Sequence, residues 1–126
     1  MTFLIITHAS HKESEGHYFS YGPFIREMNL WIKYADEVII VAPLIAGSTI
    51  QKNEIPYVHE RIRFISIPQF DFLTIRALIK SFLILPLAVQ KILKGIRMAD
   101  HIHLRCPGNI GLLGCVLQIF FPGKKK

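Results

Sequence analysis

A chain of 126 residues, half of them apolar, is long enough for one domain with a real core and too short for two. That composition excludes a disordered segment or solvated linker, and two cysteines are too few for a disulfide framework, so reduced thiols are expected. The net charge of +6 is unevenly placed: residues 1–70 carry six Lys and Arg against seven Asp and Glu, and residues 71–126 carry nine against two. A basic second half points to an anionic neighbour, either membrane lipid or a phosphorylated ligand.

Residues 3–7, Phe-Leu-Ile-Ile-Thr, have no polar alternation and predict a strand buried on both faces. The stretch from His8 to Tyr21 reads as a polar loop, rich in groups that bind or move protons. Residues 24–34 place Phe24, Ile25, Met28, Trp31 and Ile32 at helical spacing, with Pro23 suited to the first turn. Residues 38–42 predict a second buried strand stopped by Pro43. Residues 44–60 have no clear period and read as a surface connection, and residues 61–67 alternate as a third strand nearer the edge, ended by Pro68.

Residues 72–98 form a long basic and apolar segment. Its uninterrupted apolar run, residues 82–89, is eight residues, whereas a membrane span needs about 20. Arg76, Lys80, Lys91 and Lys94 bracket that run and Pro86 interrupts it. A helix packed on the sheet is expected, with contact to an anionic membrane surface as the second option. Residues 100–105 predict a fourth strand, broken by Cys106-Pro107-Gly108, and residues 110–121 a closing helix with Asn109 as its N-cap. Nothing at the Met1 end resembles a secretory leader, so a cytoplasmic location is expected, peripheral at the inner face of the membrane if that basic segment makes contact.

The predicted fold is α/β: a doubly wound parallel sheet of order 3-2-1-4 in three Rossmann-like layers, formed by residues 1–126 as one domain. In that order strands 1 and 4 are neighbours, and the gap between their carboxyl ends is where such sheets bind ligands. His8 and Ser10 arrive there from strand 1, and Arg105, Gly108 and Asn109 from strand 4 and the start of the last helix. A guanidinium beside a helix N-terminus clamps phosphate or carboxylate; the competing assignment for Arg105 is an ion pair with Glu13 or Glu15. No G-x-G-x-x-G or phosphate-loop motif is present, which argues against a dinucleotide cofactor. The six histidines match no metal-ligand spacing, so neither a metal nor a cofactor is expected. Cys115 falls on an apolar helix and reads as core, His103 as a mid-strand core histidine. The lysines at 124–126 lack interleaved aromatic residues, which argues against nucleic acid.

The buried first strand, the loop ending Glu15-Gly16-His17 and the block from Ala99 to Gly108 together resemble the N-terminal domain of GT-B glycosyltransferases of the family-four type. The resemblance implies two Rossmann-like domains, of which this chain supplies the acceptor side, incompletely, and lacks the donor-binding C-terminal domain. It implies transfer of a sugar from a nucleotide-sugar to a glycan or lipid-linked acceptor, in glycan or cell-surface polysaccharide synthesis, with a partner chain supplying the donor side. It makes Gly16 the first-loop glycine that lets backbone approach the donor phosphates, with His17 beside it. The family's fourth strand often ends His-x-His; His103 stands at the first position and Arg105 at the second, which implies charge stabilisation there. Arg105 and His8 are then the catalytic candidates, and Gly16, His17, Ser10, His103, Gly108 and Asn109 the substrate-binding ones. The alternative is a Rossmann-like module that binds a phosphorylated small molecule or a partner protein without chemistry.

Overall fold

The computed structural model describes residues 1–46, 49–68, 75–105 and 109–124. Four strands run parallel: β1 (Thr2–Ile6), β4 (Glu37–Ala42), β7 (Ile62–Ser66) and β8 (His101–Leu104), in the order β7-β4-β1-β8. Four shorter strands, β2 (His11–Ser14), β3 (His17–Tyr21), β5 (Leu44–Ile45) and β6 (Glu54–Pro56), make a mixed sheet of order β5-β2-β3-β6. Helix α1 (Gly22–Ile32) follows β3, α2 (Ile75–Met98) leads into β8, and α3 (Asn109–Leu117) runs into a 3-10 turn, Gln118–Phe120.

The apolar run at β1 is a strand with no wet face. Phe3 and Ile5 pack with Val38 and Ile40 under Phe24, Ile25, Met28 and Ile32 of α1. Leu4 and Ile6 point the other way, with Ile39 and Val41, onto Ile92 and Ile96 of α2 and Ile110 of α3. Alternation of side chains along each strand therefore produces two cores from one sheet. The architecture is α/β with helices on both faces, as the sequence predicts. Pro23 sits in the first turn of α1, and β7 lies at the sheet edge. Trp31 departs from expectation: it is exposed, because the buried arc of α1 is filled by Phe24, Ile25, Met28 and Ile32.

Two predicted connections prove to be sheet. The polar stretch after β1 folds into the β2–β3 hairpin, with Ser14 opposite His17. Its two turn residues, Glu15 (φ 52°) and Gly16 (φ 78°), both lie in the left-handed region that a two-residue type I′ hairpin demands. Gly16 is thus accounted for by the turn itself. The stretch 44–60 supplies β5 and β6, which flank the hairpin. The ion pair between Lys12 Nζ and Glu54 (3.0 Å), with both side chains largely covered, ties β2 to the segment carrying β6. Charged residues hid these strands, since Lys12 and Glu54 read as solvated until they are seen facing each other.

The mixed sheet also fixes where α1 starts. Gly22 N–H donates to Asn53 O at 2.8 Å, and a Cβ on Gly22 would lie 2.9 Å from that same oxygen. The obstacle is backbone, so Gly22→Ala is expected to destabilise by about 1–2 kcal/mol despite alanine's better helix propensity. Thermal denaturation followed by circular dichroism checks this, and an unchanged or raised midpoint would show that the 50–54 turn yields freely.

Candidate functional site

Arg105 follows β8 and His8 follows β1, so both stand at the carboxyl ends of adjacent parallel strands. Arg105 N–H donates to Ile6 O at 3.0 Å, which continues the β1–β8 ladder past Leu104 and fixes the backbone there. Its side chain turns to the α1 face. The guanidinium carbon lies 4.7 Å from the centroid of Phe24, and Nη1 is 3.8 Å from Glu27 Oε2. Glu27 is therefore the acidic neighbour of Arg105 among the described residues, in place of Glu13 or Glu15. Both side chains are more than a third exposed and the separation is long, so the pair is weak, of the order of 0–1 kcal/mol. The aromatic face orients the cation, and among the described residues its donors stay open to an anion.

Beneath Phe24 lies a buried polar pair. His11 Nδ1 is 2.7 Å from Ala9 O, and because a carbonyl only accepts, Nδ1 carries the proton. His11 Nε2 is then the acceptor for the Tyr57 hydroxyl at 2.8 Å. The two rings are stacked within 3° at 5.6 Å, and Phe24 and Phe64 meet His11 edge-on. Burial pulls the His11 pKa down from 6.5 to about 4, outweighing the contrary effect of the Ala9 hydrogen bond. Burial likewise pushes the Tyr57 hydroxyl well above its usual value, against the smaller opposing influence of Arg105. Both rings are neutral at pH 7 and fully buried, His11 edge-on behind Phe24 and Tyr57 within the electrostatic reach of Arg105.

His103 lies opposite Ile5 on the same face as Phe3 and stacks on the Phe3 ring at 6.2 Å. It is half-buried, and burial is the main cause that lowers its pKa; Glu27 works the other way, and His101 and Arg105 add to the lowering. A neutral imidazole near a carboxylate and a guanidinium can accept a proton or hydrogen-bond a hydroxyl. His8 is exposed at the strand end, and Ser10 is partly covered, its carbonyl accepting from Ser20 Oγ at 2.9 Å.

Gly16 and His17 are not brought to this site. The hairpin tip reaches the opposite end of the parallel sheet, where both residues line a groove of about 980 Å³ with Lys33, Asp36, Tyr57 and Arg61. Asp36 and Arg61 immediately precede β4 and β7, so this groove lies at the amino ends of the strands, away from Arg105. The strands β2 and β3, by extending the first loop, carry its glycine toward the amino ends of the parallel strands. Gly108 lies outside the described residues, and so does the side chain of Asn109, whose backbone opens α3. Cys115 is half-buried on α3. Among the described residues no cluster of His, Cys, Asp and Glu is arranged to hold a metal ion, and no helix is long and apolar enough to cross a membrane.

Three members of the cluster, Glu27, His11 and Tyr57, were not singled out from sequence, and Phe24 was read only as part of the apolar face of α1. Phe24 and Glu27 are one helical turn apart, so helical spacing could have aligned them. Tyr57 gave no signal within an aperiodic stretch. Comparison of the chain with models of known families, with curated proteins and with solved structures gives no match.

Proposed function

We propose that this chain is the acceptor-side part of a glycosyltransferase built from two Rossmann-like domains, which moves a sugar from a nucleotide diphosphate to an acceptor hydroxyl. The observation that carries this reading is the half-exposed Arg105 guanidinium beside the carboxyl end of β1, held on Phe24 and only loosely paired with Glu27. The parallel strands lie in the order β7-β4-β1-β8; in this reading they are the 3-2-1-4 sheet of a doubly wound domain, which binds ligands between its first and fourth strands. In this reading Arg105 balances the charge of the departing diphosphate, and His8 takes the proton of the acceptor hydroxyl. His103 and Glu27 hold sugar hydroxyls, and the backbone N–H of Asn109, which opens α3, faces the anion. Most donor contacts belong to a second domain outside these 126 residues.

The test is to titrate uridine and guanosine diphosphate-sugars into the chain, with and without a supplied donor domain of this enzyme type. Turnover only with the added domain supports the proposal. Arg105→Gln is expected to cut donor-dependent turnover about tenfold or more, the loss of one charge-assisted contact, while the far-UV circular dichroism stays unchanged. Tight binding by the chain alone, without turnover in any combination, supports instead the non-catalytic module, a reading favoured by the position of β8 at an edge of the sheet, where a partner strand can add.

A further inference from the structure

Among the described residues, the fully covered ones of α2 lie in its second half. Ala88, Ile92 and Ile96 face the sheet, and Gly95 lies against Leu4 and Val41. Earlier in the helix the outward side carries large apolar residues left open to solvent: Ile79, Phe82 (71 % exposed), Leu83 (78 %) and Leu87. Arg76 and Lys80 are exposed among them, one turn apart and interleaved with Ile79 and Leu83. Further along the same outward side, Gln90, Lys94 and Arg97 are polar and exposed. A helix whose outer face were simply solvated would be polar along its whole length.

The neighbouring helix continues this surface. Both α2 and α3 pack on the Leu4 and Ile6 side of the sheet, so their outer sides look the same way. On α3 and the turn after it, Val116, Ile119 and Phe120 are exposed. Neither helix contains a single Asp or Glu. The outer layer is therefore apolar and cationic at once, with no carboxylate in either helix to balance it.

We infer that the outer face of α2 and α3 docks on an anionic phospholipid surface, with Phe82 and Leu83 entering the headgroup boundary. Charge decides the occupant. A second copy across this face would set Arg76 and Lys80 against their own equivalents with no acid from either helix between them. Anionic headgroups supply that missing charge, and the layer beneath them takes the apolar side chains, while the basic stems extend toward the phosphates. With no helix able to span a bilayer among the described residues, the chain lies on the surface. This assignment is independent of sugar transfer.

The test is sedimentation of the purified chain with vesicles of phosphatidylcholine alone and of phosphatidylcholine mixed with phosphatidylglycerol. The chain is expected to pellet with the mixed vesicles, far less with the neutral ones, and less as salt is raised. Removing both cations in R76Q/K80Q is expected to weaken partitioning about 25-fold, near fivefold for each charge. F82E/L83E, at two exposed positions that leave the core alone, is expected to weaken it roughly a hundredfold or more, with an unchanged circular dichroism spectrum. Wild-type chain remaining in the supernatant with mixed vesicles at low salt would overturn the inference. So would equal binding to neutral vesicles, wild-type binding by F82E/L83E, or pelleting without vesicles that F82E/L83E abolishes, which would assign the face to self-association.

Discussion

Between pH 7 and pH 4 the fold is expected to lose about 3 kcal/mol of stability through His11 alone. In the unfolded chain this imidazole titrates near 6.5, and in the fold burial lowers it to about 4. Above pH 6.5 both states hold it neutral and its burial carries no electrostatic penalty. As the pH falls below 6.5 the unfolded chain takes up a proton that the fold refuses, so stability drops until about pH 4, below which both states are protonated and the loss levels off. Each unit of difference is worth 1.36 kcal/mol, so about 2.5 units give the figure stated. The surroundings explain the refusal: Nδ1 is engaged by Ala9 O, Nε2 by the Tyr57 hydroxyl, and the ring faces Phe24, Phe64 and Tyr57, none of which can stabilise a charge as a carboxylate would. His103, also lowered, adds a smaller loss of the same sign. Urea denaturation at pH 7.5, 6.0 and 5.0 measures it, and the slope between 6.5 and 5 lies above the range where carboxylates contribute. His11→Phe is expected to flatten most of that slope, although it lowers stability at neutral pH by leaving the buried Tyr57 hydroxyl without its acceptor. Equal stability at pH 7 and pH 5 in the wild-type chain would mean that His11 is hydrated or charged in the fold. A loss of 3 kcal/mol is a large part of the 5–15 kcal/mol expected of a domain.

His11 also marks the limit of what the sequence made legible. Parallel strands buried on both faces announce themselves as unbroken apolar runs, so β1 and β4 were readable to within a residue. The helices on either face followed from period and from Pro23. The second sheet was not readable, because its strands are short and carry His, Lys, Glu and Ser. Their partners, Tyr57 and Glu54, lie more than forty residues away in a stretch without period. A histidine in a polar run reads as solvated or catalytic, and only the return of the chain through 54–57 shows it as core. The same pairing removed Gly16 from the candidate site: what reads as a phosphate-approach glycine is held by a hairpin turn at the other end of the sheet. The position of Arg105 at the carboxyl end of β8 was legible because it follows a strand directly, and topology alone sets where a strand ends. Its neighbours Phe24 and Glu27 depend on the rotation of α1 about its axis, which periodicity determines only coarsely; Trp31, assigned inward and found outward, shows the size of that error.

Gly95→Val is expected to destabilise the fold by about 3 kcal/mol, at a position with no special backbone angle and no motif around it. A Cβ on Gly95 would lie 3.0 Å from Val41 Cγ2 and 3.1 Å from Leu4 Cδ1, both fully buried in the two central strands. The glycine is there because α2 lies against β1 and β4 with no room for a side chain between them. Valine adds three carbons to that contact and must lift the helix or drive Leu4 and Val41 from their rotamers, an overpacking cost at the upper end of the usual range. Leu4→Ala on its own is expected to cost about 3 kcal/mol by leaving a cavity. The double variant, Leu4→Ala with Gly95→Val, is the decisive measurement. If the close approach is the cause, truncating Leu4 makes part of the room that the introduced valine needs, and that valine fills part of the cavity. The two losses then combine to less than their sum by about 1 kcal/mol or more. The relief stays partial because Val41 Cγ2 still obstructs from the other side. Strict additivity in urea titrations would show that Gly95 and Leu4 do not touch. The same close approach sets the height of α2 above the sheet, so in Gly95→Val the outward residues Phe82, Leu83 and Lys80 move with the helix, while Arg105, on the opposite face of the sheet, keeps its seat on Phe24.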